Sequence, residues 1–284
     1  MLQQLTLFNK EVIDESLQQL LLFPSSSDVE VVFLIPIRHH NSVQDYSHTW
    51  SMLQRTLFSL SSQDCDSWHA VVCGNKILPL DSKLPCGKIT CLQYNGKFVG
   101  YTVDKWDEEH IKKHIQDKAI KRQCGVMYAS EHILPTWYFM LDADDIVAKD
   151  LVSTIKHQSL PRHRIIQVNN GIMVRDWQYY QTDAFNTFCG SSVGCSSTLL
   201  HFQLSSNHQS NIVTILGLHN VQKYYNSICS KENTLCLTDK PYCAYMIHNE
   251  NHSKNTWKYK DRMNKVELAS IDDEILDRFP ALVC

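Results

Sequence analysis

The chain has 284 residues, 43% of them apolar and 20% charged, and carries a net charge of −3 with histidine neutral. These values exclude a disordered chain and a coiled coil, and the lack of a basic excess argues against a nucleic-acid partner. Such a length forms one large domain or two modest ones, either able to bury a core. The 11 cysteines are odd in number and include no C-x-x-C. Most are therefore expected as free thiols in a reducing compartment.

In chain order, residues 1–24 (MLQQLTLFNKEVIDESLQQLLLF and Pro24) carry Leu2, Leu5, Val12, Ile13, Leu17, Leu20 and Leu21 near a 3.6-residue period. That spacing predicts an amphipathic N-terminal helix. The segment lacks the basic start and small-residue cleavage site of a signal peptide, and its apolar run is too short to cross a bilayer. A cytoplasmic protein is expected, with attachment to the inner face of the membrane left open. Residues 29–37 (VEVVFLIPI) read as a buried strand whose continuous apolar run suits a parallel sheet covered on both faces. A helix follows over about 48–62, with Trp50, Leu53, Leu57 and Leu60 on one side. Strands are then expected at 68–75 and 88–95, a charged helix over about 107–132, and a fourth strand at 137–145. Strand–helix alternation with short turns predicts an α/β fold with a mostly parallel sheet flanked by helices. Ligands of such sheets sit beyond the carboxyl ends of the strands.

From about 165 the pattern changes. RIIQVNNGIMVRDWQYYQ reads as a hairpin turning at Asn169, Asn170 and Gly171. FCGSSVGCSS (188–197) reads as a small-residue loop, PYCAYMI as a strand running into a polar loop, and 260–279 as a helix. The organisation expected is residues 1–24 as the N-terminal helix, 25–160 as a nucleotide-binding half, and 161–284 as an acceptor-side half with a C-terminal helix.

The sharpest feature is Asp142-Ala-Asp144-Asp145 at the end of an apolar strand. Like charges so close are unfavourable unless a cation sits among them. In an extended backbone Asp142 and Asp144 share a face. Two such carboxylates suit a divalent ion that keeps positions open for diphosphate oxygens. The competing reading is capping of the following helix, which accounts for Asp145 and not for Asp142. Lys118 and Arg122, four residues apart, share a helix face; with Lys112, Lys113 and Lys121 they could equally be a solvated basic surface.

FLIPIRHHNS, a helix ending TLFSLSSQ, a short second strand, DKAIKRQCGVMYA and YFMLDADD stand in the order found in family 2 glycosyltransferases of the GT-A fold, which residues 29–160 resemble. The resemblance implies a Rossmann-like GT-A sheet with a C-terminal acceptor-side elaboration. It implies a metal-dependent, inverting glycosyltransferase that moves a sugar from a nucleotide diphosphate sugar, a UDP-sugar first, to a hydroxyl of a glycan or lipid-linked glycan. Pro36 and Arg38 would lie against the base, with Asn75 where the family commonly has an acidic residue. Lys118 and Arg122 would face ribose and diphosphate. Asp142 would lie near the ribose, and Asp144, with Asp142 and His248, would hold Mn2+ or Mg2+; His252 competes with His248.

No acidic Glu-Asp pair stands between 160 and 230, so His219 and Asp183 are the available bases. His219 has the more suitable intrinsic pKa, although both residues also suit surface or turn roles. By analogy alone the acceptors include polysaccharide precursors, and a homodimer stays open. Two rivals remain: a nucleotidyltransferase, disfavoured because IPIRHHNS has no glycine, and a degenerate GT-A domain serving as a carbohydrate-binding or scaffolding module.

Overall fold

The computed structural model describes residues 28–96, 108–205, 216, 231–248 and 268–283. The expected N-terminal helix, His219 and His252 lie outside the described residues. Strand β1, Val31–Pro36, is buried along its whole length. It pairs in parallel with β2 (Trp68–Gly74) on one side and β4 (Trp137–Met140) on the other. The period of two divides β1 between two layers. Val31, Phe33 and Ile35 pack with Trp50, Leu53, Leu57 and Leu60 of helix α1 (Tyr46–Ser61). Val32 and Leu34 pack with Ala119, Val126 and Ala129 of helix α2 (Glu108–His132). This two-sided cover is why the strand reads as an unbroken apolar run, and each buried side chain contributes about 2 kcal/mol. Asp45 starts α1, its Oδ1 accepting from the backbone N–H groups of Ser47 at 2.8 Å and His48 at 3.1 Å.

The main sheet has seven strands. Beyond β2 lies β3 (Ile89–Gln93), parallel to it. Beyond β4 lie β9 (Val193–Ser196), then β6 (Ile165–Val168) and β10 (Thr234–Leu237). Only the pairings of β9 are antiparallel. The order β10-β6-β9-β4-β1-β2-β3 gives the expected α/β architecture, a mostly parallel sheet with helices on both faces. The chain steps from β1 to β2 and β3 in one direction, and β4 takes the opposite side. The order therefore reverses between β1 and β4, the place where α/β sheets bind ligands.

The second sheet has five strands in the order β12-β8-β7-β11-β5. They are β5 (Ile146–Val147), β7 (Gly171–Arg175), β8 (Gln178–Thr182), β11 (Cys243–Met246) and β12 (Ala269–Ser270). Helix α3 (Leu151–Gln158) and helix α4 (Ser197–Ser205) follow β5 and β9, and α5 (Asp273–Arg278) lies near the C-terminus.

Four expectations are corrected. Strand β4 stops at Met140, and Asp142–Asp145 form a turn closed by Asp145 N–H donating to Asp142 O at 3.2 Å. Asn169-Asn170-Gly171 is a crossing between sheets, because β6 and β7 belong to different ones. There the Asn170 amide donates to Thr238 O at 3.1 Å and accepts from Gln181 Nε2 at 2.9 Å. The hairpin is β7–β8, turning at Asp176 and Trp177, both with left-handed φ of 50° and 62°. The small-residue run at 188–197 holds strand β9, buried between β4 and β6, rather than an open loop. Within 260–279 the described helix is α5 alone, and Ala269–Ser270 are strand. All nine cysteines among the described residues are free thiols.

Candidate functional site

The turn after β4 places its three carboxylates in three environments, so Asp142 and Asp144 do not share the face that an extended strand would give them. Asp142 is gripped from α2. Lys118 Nζ lies 2.6 Å from Oδ1 and 2.7 Å from Oδ2, and Arg122 donates to Oδ1 at 2.8 Å. The i,i+4 spacing on α2 carries both cations to the same acid. Arg122 also donates to Leu216 O at 2.8 Å. Lys118 and Arg122 are buried. Desolvation lowers the Lys118 ammonium pKa, with the Asp142 charge opposing.

Asp144 turns the other way, and its Oδ2 lies 2.9 Å from His248 Nε2. His248 follows β11, so the second sheet brings a residue 104 positions away onto the acid. Burial pushes the Asp144 carboxyl up. The His248 hydrogen bond and charge, with Arg38, outweigh it and leave the carboxyl below its ordinary range. Arg38 follows β1 by two residues, at the sheet reversal. The His48 ring of α1 meets the His248 ring edge-on, with centroids 6.0 Å apart.

Asp145 is fully buried, and the helix-capping reading does not hold for it. It accepts from Ser191 Oγ at 2.5 Å, from Cys189 Sγ at 3.1 Å and from Met246 N–H at 3.4 Å. Ser191 Oγ in turn accepts from Asp142 N–H at 2.8 Å. The turn is thus pinned to the segment before β9 and to the end of β11, two residues before His248. Burial, then the Asp144 and Asp142 charges, hold the Asp145 carboxyl well above its ordinary range.

The remaining expected residues fall as follows. Pro36 ends β1 and is buried. Asn75 follows β2, and its Nδ2 donates to Tyr94 O at 2.9 Å. Asp183 is exposed in the turn after β8. Thr182 pairs with Gly171 at the start of β7, and β7 runs parallel to β11. Asp183 therefore lies towards the end of the second sheet away from His248. Lys112 and Lys113 form i,i+4 pairs with Glu108 and Glu109, as a solvated face would. Lys121 does not belong to that face. It is wholly buried and pairs with Asp117 at 2.7 Å. Sequence reasoning missed the roles of Lys121, Asp117, Ser191 and Cys189. The only available signal was the i,i+4 spacing of Asp117 and Lys121.

Lys118, Lys121, Arg122 and Arg38 stand with Asp117, Asp142, Asp144 and Asp145 at one end of the sheet, four cations among four carboxylates. Asp144 Oδ2 and His248 Nε2, hydrogen-bonded to each other here, are an oxygen and a nitrogen donor of the kinds that could hold a divalent transition ion such as Mn2+. Among the described residues no group of three or more His, Cys, Asp or Glu side chains is placed to hold a metal. No helix among the described residues is long and apolar enough to cross a membrane.

No protein-family model matches the chain. No curated protein sequence matches it either. Solved structures do. S. aureus TarS 1-349 aligns at 11% identity and a TM-score of 0.44, over 77% of this chain and 60% of TarS. The same protein in complex with UDP aligns at 12% identity and 0.45, over 77% and 61%. The 4-diphosphocytidyl-2C-methyl-D-erythritol synthase of Anaerococcus prevotii DSM 20548 aligns at 7% and 0.40, over 84% and 96%. The chain spans about 60% of the length of TarS 1-349.

Proposed function

We propose that this chain is a glycosyltransferase that binds a nucleoside diphosphate sugar, a UDP-sugar first, where the sheet order reverses between β1 and β4, and passes the sugar to a hydroxyl of a glycan or lipid-linked glycan. One observation carries the reading. Asp144 with His248, and Asp142 with Lys118 and Arg122, stand together at the carboxyl end of β4 beside Arg38. The arrangement pairs a cation-seeking dyad with a buried cationic row, as a ligand of alternating charge, metal plus diphosphate, requires. The resemblance of residues 29–160 to family 2 glycosyltransferases, an analogy of sequence pattern, suggests the reaction class.

In this reading Asp144 and His248 hold Mn2+ or Mg2+, which when bound supplies Lewis-acid neutralisation of the departing diphosphate. Lys118 and Arg122 face the phosphate oxygens. Asp142 keeps these two buried cations charged and in place, so little reorganisation is needed as negative charge develops on the leaving group. Pro36 and Arg38 line the base side with Asn75. The acceptor oxygen attacks the anomeric carbon from the face opposite the leaving group, with inversion. His219 is the proposed base for its proton.

The test is release of nucleoside diphosphate from UDP-, GDP- and CDP-sugars in the presence of Mn2+, with and without short glycan acceptors. Release from one donor class, abolished in Asp144→Ala, is expected. A folded protein that releases none from any donor contradicts the reading and favours a carbohydrate-binding module.

A further inference from the structure

Lys121 is the chain's most unusual buried group. Its side chain is fully buried, and its Nζ donates at 2.7 Å to Asp117 Oδ2 and at 2.7 Å to the backbone carbonyl of Ile37. Ile37 is the residue between Pro36, which ends β1, and Arg38, whose charge helps to lower the Asp144 carboxyl. Its own N–H donates to Cys73 O at 2.8 Å, so the Ile37 backbone is held on both sides, by β2 and by α2. Packing alone does not call for a lysine here. A buried ion pair is often no better for stability than apolar residues of the same volume, and each desolvated ion costs several kcal/mol. The Ile37 carbonyl is also beyond the reach of water, since the ammonium that meets it has no exposure.

We propose that Lys121, with Asp117 as its counterion, is a positioning residue for the donor site. It fixes the Ile37–Arg38 peptide, and through it the Arg38 side chain, against the nucleotide. Lys121 touches neither donor nor metal and acts through the loop after β1. The same helix thus serves the site twice. Lys118 and Arg122 face the Asp142 side, while Lys121, on the neighbouring helical row, holds the β1 side. His39 follows Arg38 in the same loop. Its Nδ1 accepts from Asn41 N–H at 3.0 Å, which shapes the same loop. This inference rests on the reading of the site as a nucleotide-sugar site.

The experiment is titration of UDP, in the presence of Mn2+, into the full chain and four variants, with melting temperatures recorded alongside. Lys121→Met/Asp117→Leu removes the pair without leaving a lone buried charge but takes the donor from Ile37 O, so it is expected to stay folded and to melt modestly below the wild type. UDP affinity is expected to fall about tenfold in this variant and about tenfold in Arg38→Ala, and to fall no further when the two are combined, because both remove one contact. Lys121→Gln/Asp117→Asn keeps a donor for Ile37 O and is expected to stay within about threefold of the wild type. Affinity in the apolar variant within about twofold of the wild type, additive losses of about a hundredfold in the combination, or equal losses in the apolar and amide variants would each overturn the proposal. Failure of the wild type to bind UDP would instead sink the donor-site reading itself, and this inference with it.

Discussion

Asp142 and Asp144 sit two residues apart, and their substitutions are expected to do different things. Asp142 is the counterion of two cations whose side chains are 8% and 1% exposed. Asp142→Asn leaves both cations buried against a neutral amide and is expected to lower stability by about 3 kcal/mol in urea unfolding. Asp144→Asn removes a partner of His248, whose side chain is less deeply buried at 18%. It is expected to lower stability by less than Asp142→Asn does while abolishing nucleotide binding. Equal stability losses in the two variants would contradict the division of labour. A third residue-scale prediction concerns pH. Burial lowers the His201 imidazole from 6.5 to about 4. The unfolded chain therefore takes up this proton first as pH falls. The His201 contribution is complete above about pH 6.5 and declines by about 3 kcal/mol towards pH 4. His201→Phe should flatten that part of the stability curve, and an unchanged slope would show that other groups cause it.

At the scale of elements, Gly171 opens β7 directly against Phe185. A Cβ there would stand 2.4 Å from atoms of a fully buried ring. Gly171→Ala is expected to destabilise the chain by about 2–3 kcal/mol through overpacking, measured by denaturant midpoint. A neutral result would mean that Phe185 can move aside. The same segment shows where composition misleads. Asn169-Asn170-Gly171 has the residues of a hairpin turn, yet it carries the chain from one sheet to the other. The hairpin turn falls on Asp176 and Trp177, and nothing in Trp177 advertises a left-handed conformation. Strand β9 was hidden for a different reason. It is narrow by necessity, since a Cβ on Gly194 would lie 3.2 Å from Ile166 and 3.3 Å from Phe139. Its small residues therefore carry no apolar alternation. By contrast β1, β2, β3 and α1 were legible, because each buries a face or a whole run whose period survives in the residue types, while α2 was expected as a charged helix and β4 was expected to run on to Asp145.

At the scale of the molecule, the sheet reversal between β1 and β4 gathers residues from widely separated segments onto one edge. The first half of the site could be read from the chain, because Lys118 and Arg122 share a helical face and Asp142 and Asp144 closely follow an apolar strand. The depth of the cationic cluster could not. Charge in a sequence reads as solvent exposure, whereas Lys121 is buried through a partner one helical turn earlier. Nor could the keystone role of Asp145, whose partners Ser191, Cys189 and Met246 come from two other elements.

The most direct measurement is calorimetric titration of UDP, GDP and CDP, each with and without Mn2+, into the wild type and Asp144→Ala. Binding of one nucleotide, dependent on the ion and lost in the variant, is the predicted result. Well-folded protein that binds none of the three, or binds equally well in Asp144→Ala, would contradict the assignment of this site to a nucleotide sugar.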